Sequence, residues 1–197
     1  MEKPVCSNIN EYFKLLNIIH KNNLVCYVAY PFRFNKELNE KYEEIKMFSN
    51  NKLEIISNTN INNWGKKSYS FNRKTGGGVI FELSHELDIA VWIYGGFSNL
   101  RCSNIERDKD KINVMSNITL YHDSGDQTKL HLSIDSKVDE RKIKYGGIEL
   151  KYEANEQMYV DQIKYFFGNL DNLYLMNNIF EASNLFFNIL KMEGVIK

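Results

Sequence analysis

A change of hydrophobic period along the chain constrains its fold more than any other feature. In the second half, apolar residues occupy every second position in two runs, Leu130–Leu132–Ile134 and Ile148–Leu150–Tyr152. Alternation of this kind is typical of antiparallel strands with one buried face. Gly146 and Gly147 lie between two such runs and predict a two-residue hairpin turn. The sequence therefore predicts an antiparallel meander in this half of the chain.

The first half follows a different pattern. Asn8 and Glu11 form a capping-box arrangement ahead of a helical apolar face that runs to about Lys21. The almost wholly apolar run 24–30 predicts a strand buried on both faces, as in parallel sheets. Further helices are predicted over 36–47 and 79–94, with a short strand over 53–57. Two more helices are predicted after residue 152, and their apolar faces consist of Tyr159, Ile163, Phe166 and Phe167 in the first and of Ile179, Phe186, Phe187 and Leu190 in the second. The pattern indicates a βα fragment joined to an α+β domain.

Composition excludes several classes of protein. The 197 residues carry 25 Lys+Arg and 25 Asp+Glu, so the net charge of +0 lacks the footprint of a general nucleic-acid or anionic-membrane binder. No apolar run approaches the roughly 20 residues of a membrane span. Cys6, Cys26 and Cys102 form no metal-ligand spacing. We therefore expect a cytoplasmic protein with reduced thiols, without a metal site and without nucleic-acid or membrane partners.

The segment 76–88 carries the candidate chemistry. It begins with three glycines, and Glu82, His85 and Asp88 then follow at intervals of three residues within an otherwise apolar stretch. On one continuous helix these side chains share a side, and a carboxylate beside an imidazole suits the latter to acid–base work. The same spacing is common on ordinary helix surfaces, so a merely structural His85 stays open at this point.

Four segments in order resemble the glucose–fructose oxidoreductase and inositol dehydrogenase (Gfo/Idh/MocA) family of NAD(P)-dependent enzymes. Residues 2–4 resemble its EKP motif, and residues 29–35 resemble the strand end that carries an Arg-Phe pair. Residues 64–70 resemble its tryptophan-containing loop. Residues 76–95 resemble its glycine-initiated helix, closest to the LSHELD form of members that act on surface-polysaccharide sugars. The resemblance covers essentially the whole chain and weakens after about residue 101.

The resemblance implies roles for particular residues. The implied catalytic residues are Lys3, His85 as the acid–base, and Glu82, which stands where the family usually has Asp. The implied nicotinamide-side residues are Glu2, Lys3 and Pro4. The implied substrate-binding residues are Arg33, Trp64 and Tyr69, with a structural role for Arg33 equally open. Asp88 is expected to pair with His85 or with a neighbouring loop.

One family feature is missing from the sequence. No G-x-G-x-x-G occurs in the 197 residues, so the part that binds the dinucleotide pyrophosphate is absent. We therefore interpret residues 1–34 as the remnant of an N-terminal Rossmann domain that contributes its last βα unit. Residues 35–197 are interpreted as the C-terminal substrate and oligomerisation domain. This α+β domain is expected to contain an antiparallel or mixed sheet with helices on one face.

These features favour one function and leave two alternatives open. The favoured function is NAD(P)-dependent hydride transfer at a hydroxyl of a sugar or nucleotide sugar, in glycan or surface-polysaccharide biosynthesis. NAD or NADP is the implied cofactor, and a homo-oligomer formed through the C-terminal sheet is implied. The first alternative is a truncated, non-catalytic remnant that acts as an oligomerisation or interaction domain. The second is a small α+β binding domain, outside the family, in which His85 is structural.

Overall fold

The computed structural model describes residues 1–6, 8–48, 52–61, 70, 72, 77–107, 112–171 and 178–192. The helices are α1 (Ile9–Lys21), α2 (Lys36–Glu40), α3 (Tyr42–Phe48), α4 (Val79–Glu82), α5 (Ser84–Tyr94), α6 (Glu156–Gly168) and α7 (Ile179–Met192), with a 3-10 turn over Pro31–Phe34. The strands are β1 (Lys52–Asn60), β2 (Phe97–Arg107), β3 (Ile112–His122), β4 (Gln127–Ser133), β5 (Asp135–Tyr145) and β6 (Ile148–Lys151).

The strands form one six-stranded sheet in the order β2-β3-β4-β1-β5-β6. The β1–β4 pair is parallel and every other pair is antiparallel, so the sheet is mixed. Buried and less buried residues alternate along β1, which gives the sheet one covered face and one open face. Helices α4, α5 and α7 pack together, and α4 and α5 contact the covered face. This architecture confirms the predicted fold class.

The predicted hairpin is present. Tyr145 pairs with Ile148 across a two-residue loop in which Gly146 has φ 52° and Gly147 has φ 82°. Two consecutive positive φ values define the turn that matches strand twist, and glycine adopts them without steric cost.

The alternation over Leu130 and Leu132 is also confirmed, because both side chains are buried in β4. Ile148 departs from it: the side chain is exposed because β6 is a four-residue edge strand.

Helix α1 begins where the sequence predicts. The Asn8 side chain accepts a hydrogen bond from the Glu11 main-chain N–H, and the helix ends at Lys21. Its inward side chain Tyr12 packs against Phe186 and Phe187 of α7, with ring centroids 5.4 and 5.0 Å apart. One apolar core thus includes residues from both sides of the 34/35 boundary, and that boundary stays a prediction.

The run 24–30 belongs to no strand of the described sheet, so this prediction is wrong. The Met1 ammonium donates to the Tyr27 carbonyl over 2.8 Å, and the Ala29 N–H donates to the Met1 carbonyl over 2.6 Å. On its other edge, the Asn178 side-chain amide bonds both the N–H and the carbonyl of Val28. An apolar run becomes a strand only beside a partner of several residues, which the described chain does not provide here.

Two predicted continuous helices are interrupted. The helix predicted over 36–47 divides at Lys41, which has φ −104° and ψ 2°, beside the Asn39 amide that bonds the carbonyls of Arg33 and Asn35. The helix predicted over 79–94 divides at Leu83, which has φ −101° and ψ 29°. The second interruption changes how the candidate site is built.

Candidate functional site

The interruption at Leu83 creates the centre of the site. Helix α4 ends after one turn, so the carbonyls of Phe81 and Glu82 lose donors that a continuous helix would supply. The Ser84 hydroxyl donates to the Phe81 carbonyl over 3.0 Å. The Lys3 ammonium donates to the same carbonyl over 3.2 Å and to the Glu82 carbonyl. Lys3 therefore reaches the junction of α4 and α5 and stabilises the end of α4.

Burial governs the protonation of Lys3. Desolvation lowers its pKa below the usual value, while the nearby carboxylates of Glu82, Glu86 and Glu2 oppose that shift. The cation is therefore held among carboxylates and main-chain carbonyls. Of the other implied nicotinamide-side residues, Glu2 is exposed and Pro4, which follows a cis peptide bond, is half-buried.

His85 lies in the first turn of α5 and packs edge-on against two aromatic rings. Its ring centroid is 5.3 Å from that of Phe32 and 6.4 Å from that of Tyr30. Its Nδ1 is buried and has no hydrogen-bond partner among the described residues. Burial lowers the pKa of His85 well below its usual value, and the positive charges of Lys3 and Arg141 lower it further. The imidazole is therefore neutral at pH 7.

Glu82 is close to this junction but does not pair with His85. The turn at Leu83 separates the two residues, and the Glu82 carboxylate is hydrogen-bonded to Ser70 instead. Its Oε1 is buried without a partner in the described chain, and burial raises its pKa. The carboxylate–imidazole pair expected on one continuous helix is not formed.

A second polar group completes the cluster, and the sequence analysis missed it. Glu86 is fully buried, and its Oε1 accepts a hydrogen bond from Arg141 Nε of β5 over 3.2 Å. The Arg141 guanidinium lies over the Phe32 ring at 5.5 Å. Tyr152, just after β6, packs edge-on against the same ring at 5.4 Å. Phe32 thus joins His85, Arg141 and Tyr152 in one wall.

Only part of this group carried a signal in the sequence. Glu86 directly follows His85 within an apolar helix, where a charged side chain needs a partner. Arg141 and Tyr152 gave no comparable signal, because they come from a polar strand and a strand end far along the chain.

Arg33 lies beside the cluster in a different arrangement. Its Nε and Nη2 bond the two oxygens of Asp88 over 2.9 and 2.6 Å, and Nη2 also bonds Glu181 over 2.6 Å. Burial raises the pKa of Asp88 to about 6, although the Arg33 charge opposes that shift. Asp88 therefore pairs with Arg33 rather than with His85. The implied substrate residues Trp64 and Tyr69 lie outside the described residues.

Several solved structures with a similar fold are dehydrogenases or other oxidoreductases. The chain superposes on the WlbA (WbpB) dehydrogenase from Thermus thermophilus, solved with NAD and UDP-GlcNAcA, with a TM-score of 0.71 and 17% identity. It superposes on UDP-N-acetylglucosamine 3-dehydrogenase GnnA from Acidithiobacillus ferrooxidans with a TM-score of 0.73 and 14% identity. For aldose-aldose oxidoreductase from Caulobacter crescentus, solved with glycerol, the values are 0.72 and 12%.

The matches cover nearly all of this chain but only part of each neighbouring protein. They cover 97%, 99% and 98% of this chain but 62%, 69% and 68% of the three neighbours, in the order given. The chain thus spans less than two thirds of the WlbA dehydrogenase. No protein-family model matches the chain, and no curated protein matches its sequence.

At these identities the comparison establishes the fold. The chain has the fold of the C-terminal domain of Gfo/Idh/MocA-type dehydrogenases, and the resemblance found in the sequence is confirmed at that level. Within the part of the chain that the structure describes, no helix is both long and apolar enough to span a bilayer.

The fit of a dinucleotide to the described residues is incomplete. Lys3 lies close enough to Glu82 and His85 to influence their charges, as the implied nicotinamide-side lysine should. A pyrophosphate, by contrast, requires a glycine-rich turn between a strand and a helix. Gly78 does begin α4, but no strand of the described chain leads into it and the helix has one turn. The described residues therefore do not fit the whole cofactor.

Proposed function

We propose that this chain is the sugar-binding and proton-transferring part of an NAD(P)-dependent oxidoreductase that acts on a hydroxyl of a sugar or nucleotide sugar. The three structural neighbours named above, a WlbA dehydrogenase, a UDP-N-acetylglucosamine dehydrogenase and an aldose-aldose oxidoreductase, support this class of reaction. The proposal depends most on one observation in the chain itself, namely the concentration of unpaired buried polar atoms around His85.

Six buried side-chain atoms lack a hydrogen-bond partner among the described residues, and four of them belong to this cluster. They are Glu82 Oε1, His85 Nδ1, Glu86 Oε2 and the Tyr152 hydroxyl. A buried polar atom without a partner costs about 1–3 kcal/mol, so four together are maintained for a reason other than stability. Carboxylate acceptors, a phenol donor and the Phe32 ring together suit a ligand with several hydroxyl groups.

The residues divide the chemistry between them. A neutral imidazole is a base, so His85 accepts the proton of the substrate hydroxyl as the C–H bond breaks and a carbonyl forms. Lys3, held at the α4–α5 junction, positions that hydroxyl with its ammonium donors. A bound nicotinamide would supply the acceptor for the hydride that leaves this carbon. Glu82 acts through its charge on Lys3, since it does not bond the imidazole.

The experiment that tests the proposal is ligand binding by the chain itself. Saturation-transfer NMR with UDP-N-acetylglucosamine as the probe should show contact with the sugar protons. His85→Asn should weaken binding about tenfold, because one lost polar contact of about 1.4 kcal/mol has that effect. The matched control is His131→Asn: His131 lies half-exposed on the sheet and bonds Asn117. Absence of transfer, or equal loss in both variants, would contradict the proposal.

The alternative of a non-catalytic interaction domain has its own supporting observation. Ile105 and Met115 are paired across β2 and β3, and both are exposed on the open face of the sheet. Light scattering tests this alternative. If the wild-type chain is a dimer and changing both residues to lysine dissociates it, the result would support association through the sheet. A monomeric wild-type chain would count against this alternative.

A further inference from the structure

The sequence-implied site contains Lys3, Glu82 and His85, whereas Glu86, Arg141 and Tyr152 have no assigned role. We propose that Tyr152 and Glu86 together hold a second hydroxyl of the bound ligand, with Arg141 as the positioning residue that fixes the Glu86 carboxylate. This assignment rests on the proposed function, because it concerns the same ligand.

The first argument comes from hydrogen-bond complementarity. The Tyr152 hydroxyl and Glu86 Oε2 are both buried and both unpaired in the described chain, so they do not bond each other. A phenol can donate and a carboxylate can only accept. A hydroxyl group placed between them satisfies both, because it accepts from Tyr152 and donates to Glu86. Burial, with the negative charge of Glu86, raises the pKa of Tyr152 and keeps the phenol protonated for this purpose.

The second argument comes from the support around the two groups. Arg141 Nε holds Glu86 Oε1 and leaves Oε2 unpaired, so one carboxylate oxygen is anchored and the other is available. The Phe32 ring contacts Tyr152 on one side and His85 on another, with centroids 5.4 and 5.3 Å away. A ligand that reaches His85 therefore lies against the same aromatic side chain that supports Tyr152.

The Tyr152 hydroxyl has no hydrogen-bonding role in the described part of the fold. A structural tyrosine in a core donates to a fixed acceptor, as Tyr145 of β5 does to Glu44 over 2.9 Å. Both rings are equally buried, at 2% exposure. Tyr145 and Tyr152 thus form a matched pair that differs in whether the hydroxyl is used by the fold.

The test compares Tyr152→Phe with Tyr145→Phe in the full chain. Without ligand, the thermal midpoint of Y152F should equal or exceed that of the wild type, because an unpaired hydroxyl is removed. Y145F should lose about 2–4 °C, because it removes the hydrogen bond to Glu44 Oε1, while Lys41 still bonds the other carboxylate oxygen. With UDP-N-acetylglucosamine as the probe, Y152F and Glu86→Gln should bind about tenfold more weakly than the wild type, and Y145F should bind equally well.

The two arms separate failure of this inference from failure of the proposed function. If Y152F loses as many degrees as Y145F, its hydroxyl serves the fold and the inference is overturned. If Y152F and E86Q bind the probe as tightly as the wild type, the inference about the second hydroxyl is also overturned, while the proposed function stands. If the wild type binds no probe, the proposed function fails. The thermal comparison alone then still decides whether the Tyr152 hydroxyl contributes to the stability of the fold.

Discussion

Two polar clusters contain residues of helix α5, and they differ in how completely their buried atoms are paired. In one cluster, Arg33 and Asp88 form a two-point ion pair with both carboxylate oxygens engaged. In the other, His85, Glu86 and Tyr152 each contain a buried atom that the described chain leaves unpaired. Most buried polar groups in a fold are paired, so several unpaired ones in one place need an explanation, and a bound ligand supplies one. The difference assigns structure to the first cluster and binding to the second.

The largest effect is expected from removing the Asp88 carboxylate, which belongs to the fully paired cluster. Asp88→Ala leaves Arg33 partly buried beside only one exposed carboxylate, so the free energy of unfolding should fall by about 3–5 kcal/mol in urea titration. Glu181→Gln is the control, since its half-exposed side chain should contribute at most about 1 kcal/mol. Similar losses in both variants would show that the Arg33–Asp88 pair is not the structural element proposed here.

The buried His122 and the partly buried His85 allow the same comparison with one residue type. His122 bonds the Gly95 carbonyl over 3.0 Å and the Thr128 hydroxyl over 2.9 Å, while His85 Nδ1 is unpaired. His122→Phe should therefore lower the free energy of unfolding by about 1–3 kcal/mol, and His85→Phe should lower it by less than about 1 kcal/mol. Chemical denaturation measures both. A larger loss for His85 than for His122 would assign His85 to the fold.

The smallest expected effect is a pH dependence. Burial is the main cause that lowers the pKa of His122 and of His85 in the folded chain. Below pH 6.5 the unfolded chain binds protons at these two histidines that the folded chain does not, so their contribution to stability is complete above that pH and falls as the pH decreases. The slope is at most about 1.4 kcal/mol per pH unit for each histidine.

Urea titrations between pH 7.5 and 5 measure this slope, and His122→Phe should reduce it. Asp88, with a pKa of about 6, changes the stability in the opposite direction but is present in both proteins, so a slope that His122→Phe leaves unchanged would contradict the neutral state assigned to His122.

The elements with local signals could be predicted from the sequence. The Asn8 cap, the glycine hairpin and the alternating strand β4 depend on residues within a few positions of one another, and all three are present. Helix α7 also buries Phe186 and Leu190 of its predicted apolar face. In α6, by contrast, three residues of the predicted face, Tyr159, Ile163 and Phe167, are exposed. Periodicity identifies a face but not whether anything packs on it.

The site could be predicted only in part, for a related reason. The interruption at Leu83 is coupled to Lys3, whose ammonium bonds carbonyls nearly eighty positions later in the chain. No local pattern reports a contact of that separation, so one helix was expected where there are two. Glu86, Arg141 and Tyr152 meet through a helix, a strand and a strand end. Their meeting depends on sheet register, which spacing alone does not reveal.

The central claim is that the unpaired cluster around His85 binds a polyhydroxyl ligand, and a crystal structure of the chain with UDP-N-acetylglucosamine tests it most directly. The account predicts sugar hydroxyls within hydrogen-bond distance of His85 and between Tyr152 and Glu86, with the Arg33–Asp88 pair unchanged. A structure in which ordered water or neighbouring side chains pair all four atoms, with the sugar bound elsewhere or absent, would contradict it.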